Sequence, residues 1–267
     1  MENKKIVELI PSGKKPSSYD AFFDASNHVI IPGLINLHHH FYQTLTRAFP
    51  LALNKKLFPW LKALYPVWAS LTPESFRVGT RLALAELLLS GCTTTSDHHY
   101  IFTPGLEKAI DIQVEEAKTL GIRVVLCRGS MDRSQKDGGL PPDSVVQTCD
   151  EILDDCQRLI EKYHDSKQGA MIQIALAPCS PFSVSEKLMR DCAIISEKYD
   201  ILLHTHLAET KDENSFCLEK MGCRPLEYLE QVGWLTNRTW LAHGIHFTHK
   251  EIQKLGTSKT GIAHCPS

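Results

Sequence analysis

The stretch that decides the fold is IIPGLINLHHHFYQTLTR at residues 30–47. An apolar run ends in three consecutive histidines, His38, His39 and His40, and polar residues follow. If the run is an extended strand, its side chains alternate, so His38 and His40 share one face and His39 lies on the other. Two neutral imidazoles at one strand end can hold a divalent metal ion. The stretch therefore predicts part of a metal site, with further ligands to come downstream.

The composition is that of an ordinary globular protein large enough for one barrel-sized domain. The 267 residues are 43% hydrophobic and 22% charged, and the formal net charge of -2 offers no electrostatic attraction to nucleic acid or to an anionic membrane. No apolar run reaches transmembrane length, and the first residues lack the apolar core of a signal peptide. The nine cysteines include no CxxC pair, which favours buried, reduced thiols. We expect a cytoplasmic protein with no nucleic-acid or membrane partner.

Extended apolar segments alternate with helical patterns along the chain. The predicted strands cover residues 30–38, 93–98, 123–127, 172–177, 201–206, 239–243 and 261–264. The predicted helices cover residues 72–89, 106–120, 143–163, 185–199, 224–231 and 248–255. Strands that alternate with helices predict an α/β fold with a parallel sheet and helical crossovers.

Two parallel sheets fit this order, an open doubly wound sheet and a closed (β/α)8 barrel. No GxGxxG motif follows the first strand, so nothing supports dinucleotide binding. Histidines and carboxylates recur where most of the strands end, which is where a barrel collects its active site. We therefore predict a TIM-type barrel over residues 30–267, with one strand fewer than the usual eight, and a short polar segment at residues 1–29.

The fifth predicted strand contributes the next candidate ligand. It reads ILLHTHLAET at residues 201–210, so His204 and His206 share a face and Glu209 follows three residues later. A metal-dependent hydrolase needs a carboxylate just outside the ligands, to take a proton from water and pass it to the leaving group. This pattern predicts His206 as a ligand and Glu209 as the proton shuttle.

Other histidines follow the remaining strands. His243 precedes Gly244 and can either bind the metal or hydrogen-bond the attacking water, and the second role is favoured because three nitrogens are already assigned. His264 follows the seventh strand, where a core or supporting role is expected. The second strand ends in Asp97, His98 and His99, which either form a second metal site or support the first through hydrogen bonds. The supporting role is favoured.

Several longer segments resemble one known family. NLHHHFYQ after PGLI, HTHLAE, LAHGIH and AHCPS occur in the order found in the amidohydrolase superfamily, in the branch that deaminates heterocyclic rings. RGSM followed by DGGLPPDSVVQ, LAPCSPFSVS and RPLEYLEQVGW resemble bacterial 8-oxoguanine deaminases and their relatives that act on hydroxylated triazines. The resemblance runs from about residue 30 to residue 267.

The resemblance implies a set of roles in a zinc enzyme. The implied zinc ligands are three histidines, His38, His40 and His206. Glu209 is the implied proton shuttle, His243 orients the attacking water, and Gln43 contacts the purine ring. Imidazole ligands also suit iron, nickel and manganese, so the metal is zinc by preference. The implied reaction is hydrolytic deamination of an oxidised purine such as 8-oxoguanine, and the nearest alternative is amine or alkylamine release from a hydroxytriazine.

The family also has features that this sequence lacks. Its fold adds a small β-sandwich built from both chain ends, of which residues 1–29 would be a remnant, and its eighth strand supplies an Asp to the metal site. Neither the eighth strand nor that Asp is present before residue 267, so we expect an incomplete member of the family. The open barrel edges would favour a homo-oligomer. For such a chain, a catalytically inactive metal-binding fragment is the alternative to an enzyme.

Overall fold

The structure is a computed structural model that describes residues 5–11 and 13–266. Its described part contains one seven-stranded sheet in which the strands follow chain order and every neighbouring pair is parallel. The strands are β1 (Leu34–Asn36), β2 (Cys92–His99), β3 (Arg123–Ser130), β4 (Ile172–Pro178), β5 (Leu203–Leu207), β6 (Thr239–His243) and β7 (Gly261–Ala263). The predicted α/β barrel with seven strands is confirmed.

Helices connect the strands on the outside of the sheet. They are α1 (Leu57–Trp68), α2 (Pro73–Leu89), α3 (Ala109–Leu120), α4 (Cys149–Tyr163), α5 (Glu186–Tyr199), α6 (Lys211–Met221), α7 (Pro225–Gln231) and α8 (His249–Ser258). Thr72, Thr148 and Thr248 cap α2, α4 and α8. Each threonine hydroxyl accepts the backbone N–H of the third helical residue, whose side chain in turn accepts the backbone N–H of the threonine. The cap at Thr148 explains why the helix predicted from residue 143 begins only at Cys149.

The sequence patterns missed two helices, α1 and α6. Helix α1 contains Pro66, which argues against a helix interior, and packing of Leu61, Leu64 and Trp68 into the core overrides that preference. Helix α6 buries only Glu213 and Cys217, so it has no apolar stripe for a periodicity argument to detect. Both helices contribute residues to the site described below.

The sheet curls as a barrel does. The imidazole of His38, just after β1, lies 2.8 Å from that of His204 on β5, measured from Nδ1 to Nε2. The indole Nε1 of Trp240 on β6 donates to the carbonyl of Leu37 at 3.0 Å. Since β1 is not a sheet neighbour of β5 or β6, these contacts cross the inside of the curled sheet. The carboxyl ends of the strands are thereby gathered at one rim.

The core has an outer and an inner part. Between sheet and helices lie large buried side chains, among them Trp68, Phe76 and Trp234. Inside the curl, Cys127, Ala175 and Ala177 form a separate cluster of small residues against Trp240. All nine cysteines are free and all but Cys149 and Cys265 are buried, as expected for thiols that serve as small hydrophobic groups.

The first strand was predicted too long, and its apolar run is not buried. Only Leu34–Asn36 is strand, and Ile30, Ile31 and Ile35 are largely exposed. The reason is that β1 pairs only with β2 within the described chain, and its register is irregular between Leu34 and Ile35. Within residues 5–11 and 13–266, one face and one edge of the apolar run therefore have no partner, and neither does the outer edge of β7.

Residues at the beginning of the chain form no part of this sheet. Apart from an isolated bridge at Lys5, residues 5–11 and 13–33 contain no strand or helix. The assignment of residues 1–29 to a β-sandwich remnant stays a prediction, and residues 1–4 and 12 lie outside the described residues. None of the described helices is both long and apolar enough to cross a membrane.

Candidate active site

Three histidines from β1 and β5 converge at the carboxyl rim of the barrel. The Nε2 atoms of His40 and His206 are 3.1 Å apart. The ring of His38 lies edge-on to both, with centroids 4.7 Å from His40 and 4.8 Å from His206. The two strand ends therefore bring together the three residues that the sequence marked as ligands.

Hydrogen bonds fix the direction in which two of these rings present their lone pairs. His40 donates from Nδ1 to the carbonyl of His98 at 2.6 Å, and His206 donates from Nδ1 to the carbonyl of Cys179 at 2.7 Å. Because a carbonyl only accepts, each proton is assigned to Nδ1, and both Nε2 lone pairs face each other.

A divalent cation fits between these nitrogens. Two lone pairs at 3.1 Å repel each other unless a cation lies between them. Tetrahedral zinc with bonds of about 2.0–2.1 Å places two ligand nitrogens about 3.3 Å apart, close to the observed distance. The orientation by backbone carbonyls is also the usual arrangement behind a metal-binding histidine. The residues present thus match a divalent metal site.

The histidines are neutral, which is the form that binds metal. Burial lowers the pKa of His40 to about 3. Burial, followed by the neighbouring imidazoles, also holds the pKa of His38 and of His206 well below the usual value of 6.5. No proton therefore competes for the ligand nitrogens near neutral pH.

Glu209 stands at the rim on the turn that follows β5. Its Oε1 lies 3.6 Å from Nε2 of His243, and both side chains line the same cavity as the three histidines. Burial, and then the charge of Glu213, raises the pKa of Glu209 to about 8. A carboxyl group that titrates near neutrality can both accept and return a proton.

Glu213 on α6 holds the Glu209 turn from behind, and sequence reasoning missed it together with its helix. Its two carboxylate oxygens accept the backbone N–H groups of Ala208 at 2.9 Å and Glu209 at 2.8 Å. The side chain is 1% exposed, and Ala208 has a φ of 53°, a conformation that a non-glycine residue adopts only when held. The signal in the sequence was a second carboxylate four residues after Glu209.

His243 ends β6 and lines the same cavity. Its φ is 74°, and its ring centroid lies 5.5 Å from those of both His38 and His206. Burial lowers the pKa of His243 to about 4, so the ring is neutral. A neutral imidazole at this place can hydrogen-bond a water molecule in the cavity.

The cavity has a volume of about 350 Å³ and combines one polar end with apolar walls. The polar end is the histidine cluster with Glu209. The walls are contributed by Leu57, Trp60 and Leu61 of α1, together with Tyr100 and Phe182. Gln43 projects between them, its Nε2 3.4 Å and 3.5 Å from the hydroxyls of Tyr42 and Tyr100. This composition suits a flat heterocycle with a few polar edges.

The DHH segment at the end of β2 divides between two sides of the strand. His98 faces inward: its Nε2 donates to the carbonyl of Ala177 at 2.9 Å, and its Nδ1 has no partner among the described residues. Ligand atoms of His38, His98 and His206 lie within 4.8 Å of one another. We nevertheless assign His40 rather than His98 as the third candidate ligand, because the Nε2 atom of His40 is in direct contact with that of His206. Strand alternation was the signal that placed His98 inside.

The neighbours of His98 do not reach the cavity. Asp97 accepts the backbone N–H of Phe41 at 2.5 Å and the side chain of Gln113 at 2.5 Å, so it anchors the turn that follows the three histidines. His99 packs against Phe76 with ring centroids 4.5 Å apart, and neither of its nitrogens has a hydrogen bond within the described chain. A second metal site from all three residues is therefore not formed.

The expected core or supporting position of His264 was wrong. Its side chain is exposed beside a groove between β1 and β7. The physical reason is the same as for β1, because β7 has a sheet neighbour on one side only within the described residues.

Comparison with known proteins identifies the family. The model of the Amidohydrolase family matches residues 29–267. The chain belongs to the amidohydrolase family. It is 58% identical over 268 residues to a protein named 8-oxoguanine deaminase from Pseudomonas aeruginosa, a match that covers 100% of this chain and 60% of the relative. It is 35% identical to hydroxydechloroatrazine ethylaminohydrolase from Pseudomonas sp. (strain ADP), over 88% of this chain and 49% of that protein.

Solved structures of this family share the fold. Atrazine chlorohydrolase TrzN from Arthrobacter aurescens TC1, complexed with zinc, superimposes with a TM-score of 0.84 at 33% identity, over 88% of this chain and 53% of that one. The chain thus spans between about half and three fifths of the length of these relatives. The family match, together with relatives named as a deaminase and an aminohydrolase, confirms the branch expected from the sequence.

Proposed function

We propose that the protein is a zinc-dependent deaminase that releases ammonia from an oxidised purine such as 8-oxoguanine. The observation that carries the proposal is the pair of Nε2 lone pairs of His40 and His206 at 3.1 Å, with Glu209 on the rim of the same cavity. The relative named 8-oxoguanine deaminase, at 58% identity, supports the choice of substrate.

His38, His40 and His206 would hold the metal through neutral imidazole nitrogens. When bound, a zinc ion supplies the positive charge that makes water a nucleophile near neutral pH and polarises the ring under attack. Their protein partners keep the ligands in place: the carbonyl of His98 orients His40, and the carbonyl of Cys179 orients His206.

Glu209 moves the proton. Its carboxylate takes a proton from the attacking water, whose oxygen bonds to the ring carbon that carries the exocyclic amine. The same carboxyl group passes that proton to a ring nitrogen. It then takes the remaining hydroxyl proton of the tetrahedral adduct and delivers it to the amine, so that the C–N bond breaks, ammonia leaves and a carbonyl remains. The pKa of about 8 suits both directions of transfer.

His243 and Gln43 position the reactants. The Nε2 of His243, 3.6 Å from the Glu209 carboxylate, lies where it can hydrogen-bond the attacking water and the oxyanion that develops. Gln43 presents an amide to the edge of the ring, and the apolar walls from α1 exclude water from its faces. A planar bicyclic substrate matches both features.

The second candidate is hydrolysis of an amine or alkylamine from a hydroxytriazine. It is favoured by the ethylaminohydrolase relative at 35% identity and by the similarity to triazine hydrolase structures. Ammonia and alkylamine release should be measured with 8-oxoguanine and with a hydroxylated N-ethyl triazine on the zinc-loaded protein. We expect a higher kcat/KM for 8-oxoguanine, and faster turnover of the triazine would reverse the assignment.

A cytoplasmic location and a homo-oligomeric state remain proposals. Within the described residues β1 and β7 each have one sheet neighbour, and these unpaired edges are the observation that supports association of chains. Sedimentation of the purified protein at several concentrations tests the second point, and a concentration-independent monomer would contradict it.

A further inference from the structure

A chain of hydrogen bonds lies directly beneath the three candidate ligands. His204 on β5 is fully buried and points into the barrel below His206. Its Nδ1 donates to the carbonyl of Trp240 at 2.8 Å, and its Nε2 lies 2.8 Å from Nδ1 of His38. None of the roles described above uses this residue.

The carbonyl of Trp240 determines which ring nitrogen carries the proton in each histidine of this hydrogen-bonded series. Because the carbonyl of Trp240 only accepts, the proton of neutral His204 is on Nδ1 and its Nε2 carries a lone pair. That lone pair needs a donor, so His38 has its proton on Nδ1 and donates it to His204. The Nε2 of His38 is left with a free lone pair, which is the form that binds a metal.

The same side chains tie together strands that are not sheet neighbours. The ring of His204 stacks on the indole of Trp240, with centroids 4.2 Å apart and planes inclined by 12°. The Nε1 of that indole donates to the carbonyl of Leu37 at 3.0 Å, one residue before His38. A closed network thus links the end of β1 to β5 and β6 across the inside of the barrel.

We propose that His204 is the positioning residue that sets the tautomer and direction of His38 for metal binding, with Trp240 as its support. The network holds the end of β1 close to β5 and β6, even though β1 pairs only with β2 in the described chain. The proposal rests on the proposed metal site, but the tautomer of His38 is a property of the metal-free protein and can be tested separately.

Two substitutions of His204 separate hydrogen bonding from packing. His204→Gln places an amide oxygen near the position of Nε2, where it accepts the proton of His38, whereas His204→Leu fills similar space without an acceptor. Loss of a partner behind a metal-binding histidine typically weakens metal affinity about 10–100-fold. We expect this loss of zinc affinity in His204→Leu and recovery of most of it in His204→Gln.

His99→Leu is the matched control. His99 is also fully buried and also lies on a strand, as the last residue of β2, but its ring nitrogens make no hydrogen bond among the described residues. It should bind zinc as the parent protein does. Zinc affinity is measured by competition with a chromophoric chelator, and thermal unfolding of each variant reports any loss of folded protein.

The second measurement is the tautomer of His38 in the metal-free protein, from nitrogen-15 chemical shifts of the imidazole. The proposal requires the proton on Nδ1 in the parent and in His204→Gln, and a shift of the proton towards Nε2 in His204→Leu. A parent His38 protonated on Nε2 would overturn it, as would unchanged zinc affinity in folded His204→Leu or a His204→Gln variant as weak as the leucine variant. If the parent binds no zinc, the proposed function fails, and the tautomer still decides this inference.

Discussion

The orientation of a single side chain in this site depends on which neighbour hydrogen-bonds each of its polar atoms, or the backbone that carries it. The ligand nitrogens of His40 and His206 point at one place because two backbone carbonyls take their other protons. Glu209 faces the cavity because Glu213 holds the backbone of its turn. In each case a residue that does not take part in the proposed reaction orients one that does.

The shuttle role of Glu209 predicts the largest effect of a single substitution. Glu209→Gln keeps the size of the side chain but cannot accept or return the proton, so kcat should fall about 10²–10⁴-fold. Zinc content should not change, because Glu209 is not one of the three residues proposed to bind the metal. Deamination kinetics and elemental analysis on the same preparation check both statements, and undiminished turnover would exclude the shuttle role.

Glu213→Gln should impair the same step from a distance. The two backbone N–H groups bond to different carboxylate oxygens of Glu213. In glutamine one of these oxygens is replaced by an NH₂ group, which repels the N–H that faces it, so the Glu209 turn is displaced. Misplacement of a reacting group by about 1 Å can cost about 100-fold in rate, so we expect kcat to fall about 10–100-fold with little change in KM or zinc content.

Glu116→Gln is the control for loss of a buried carboxylate. Glu116 is also 1% exposed, but it pairs with Arg77 and Arg81 on the outside of the barrel. Its substitution should lower the free energy of unfolding and leave kcat unchanged. Equal losses of kcat in the two variants would show that the effect of Glu213 is not specific to the site.

His99 makes the stability of the metal-free protein sensitive to acid. Burial lowers the pKa of His99 to about 3, from 6.5 in an unfolded chain. As the pH falls below 6.5, the unfolded state binds a proton that the folded state refuses, and stability is lost at about 1.4 kcal/mol per pH unit. His99→Leu removes this loss, so between pH 7 and pH 5 it should gain about 2 kcal/mol relative to the parent. Urea unfolding at both pH values measures it, and a constant difference would contradict it.

At this scale, the sequence identified which histidines meet but not how they are oriented. Alternation of side chains along the first and fifth predicted strands, together with the resemblance to the amidohydrolase superfamily, predicted that His38, His40 and His206 would converge. The partners of their Nδ1 atoms are a carbonyl on β2, a carbonyl just after β4 and a histidine on β5. These contacts join residues more than 25 positions apart, and no local pattern encodes them. For His98, alternation along β2 predicted that the side chain faces inward. It did not predict how close the ring lies to the other histidines.

Among the secondary-structure elements, those with a strong apolar period were predicted well. β6 was predicted with its observed bounds, and β2 and α5 within one residue at each end. Helices α1 and α6 were missed because one contains an internal proline and the other buries little apolar surface. These two helices supply the cavity wall and Glu213, so the least regular elements carry much of the site.

The β2–β3 pair should be intolerant of added volume. A Cβ atom on Gly129 of β3 would lie 2.3 Å from the carbonyl oxygen of His99 and 2.8 Å from the ring of His98. Gly129→Ala should therefore destabilise the protein by about 1–3 kcal/mol, as overpacking does. Gly256→Ala is the control, because nothing lies near its Cβ and alanine favours helix by about 0.5–1 kcal/mol. Equal urea midpoints for Gly129→Ala and the parent would contradict the close approach of the strands.

For the whole molecule, the barrel class followed from the order of the elements. Strands and helices alternate, and polar residues recur at the strand ends, so a parallel barrel was the simplest solution. What the pattern did not show is that β1 is exposed, because burial depends on a neighbour that is distant in sequence. The curl of the sheet is held instead by contacts across its inside, from Trp240 to Leu37 and from His38 to His204.

The measurement that tests the central claim most directly is the zinc-to-chain ratio of the purified, non-aggregated protein, determined by elemental analysis after dialysis. If His38, His40 and His206 converge as described, the ratio is close to one zinc ion per chain. A ratio near zero in folded protein that has been offered zinc would contradict the account, because three neutral imidazoles held in this geometry would then not form a metal site.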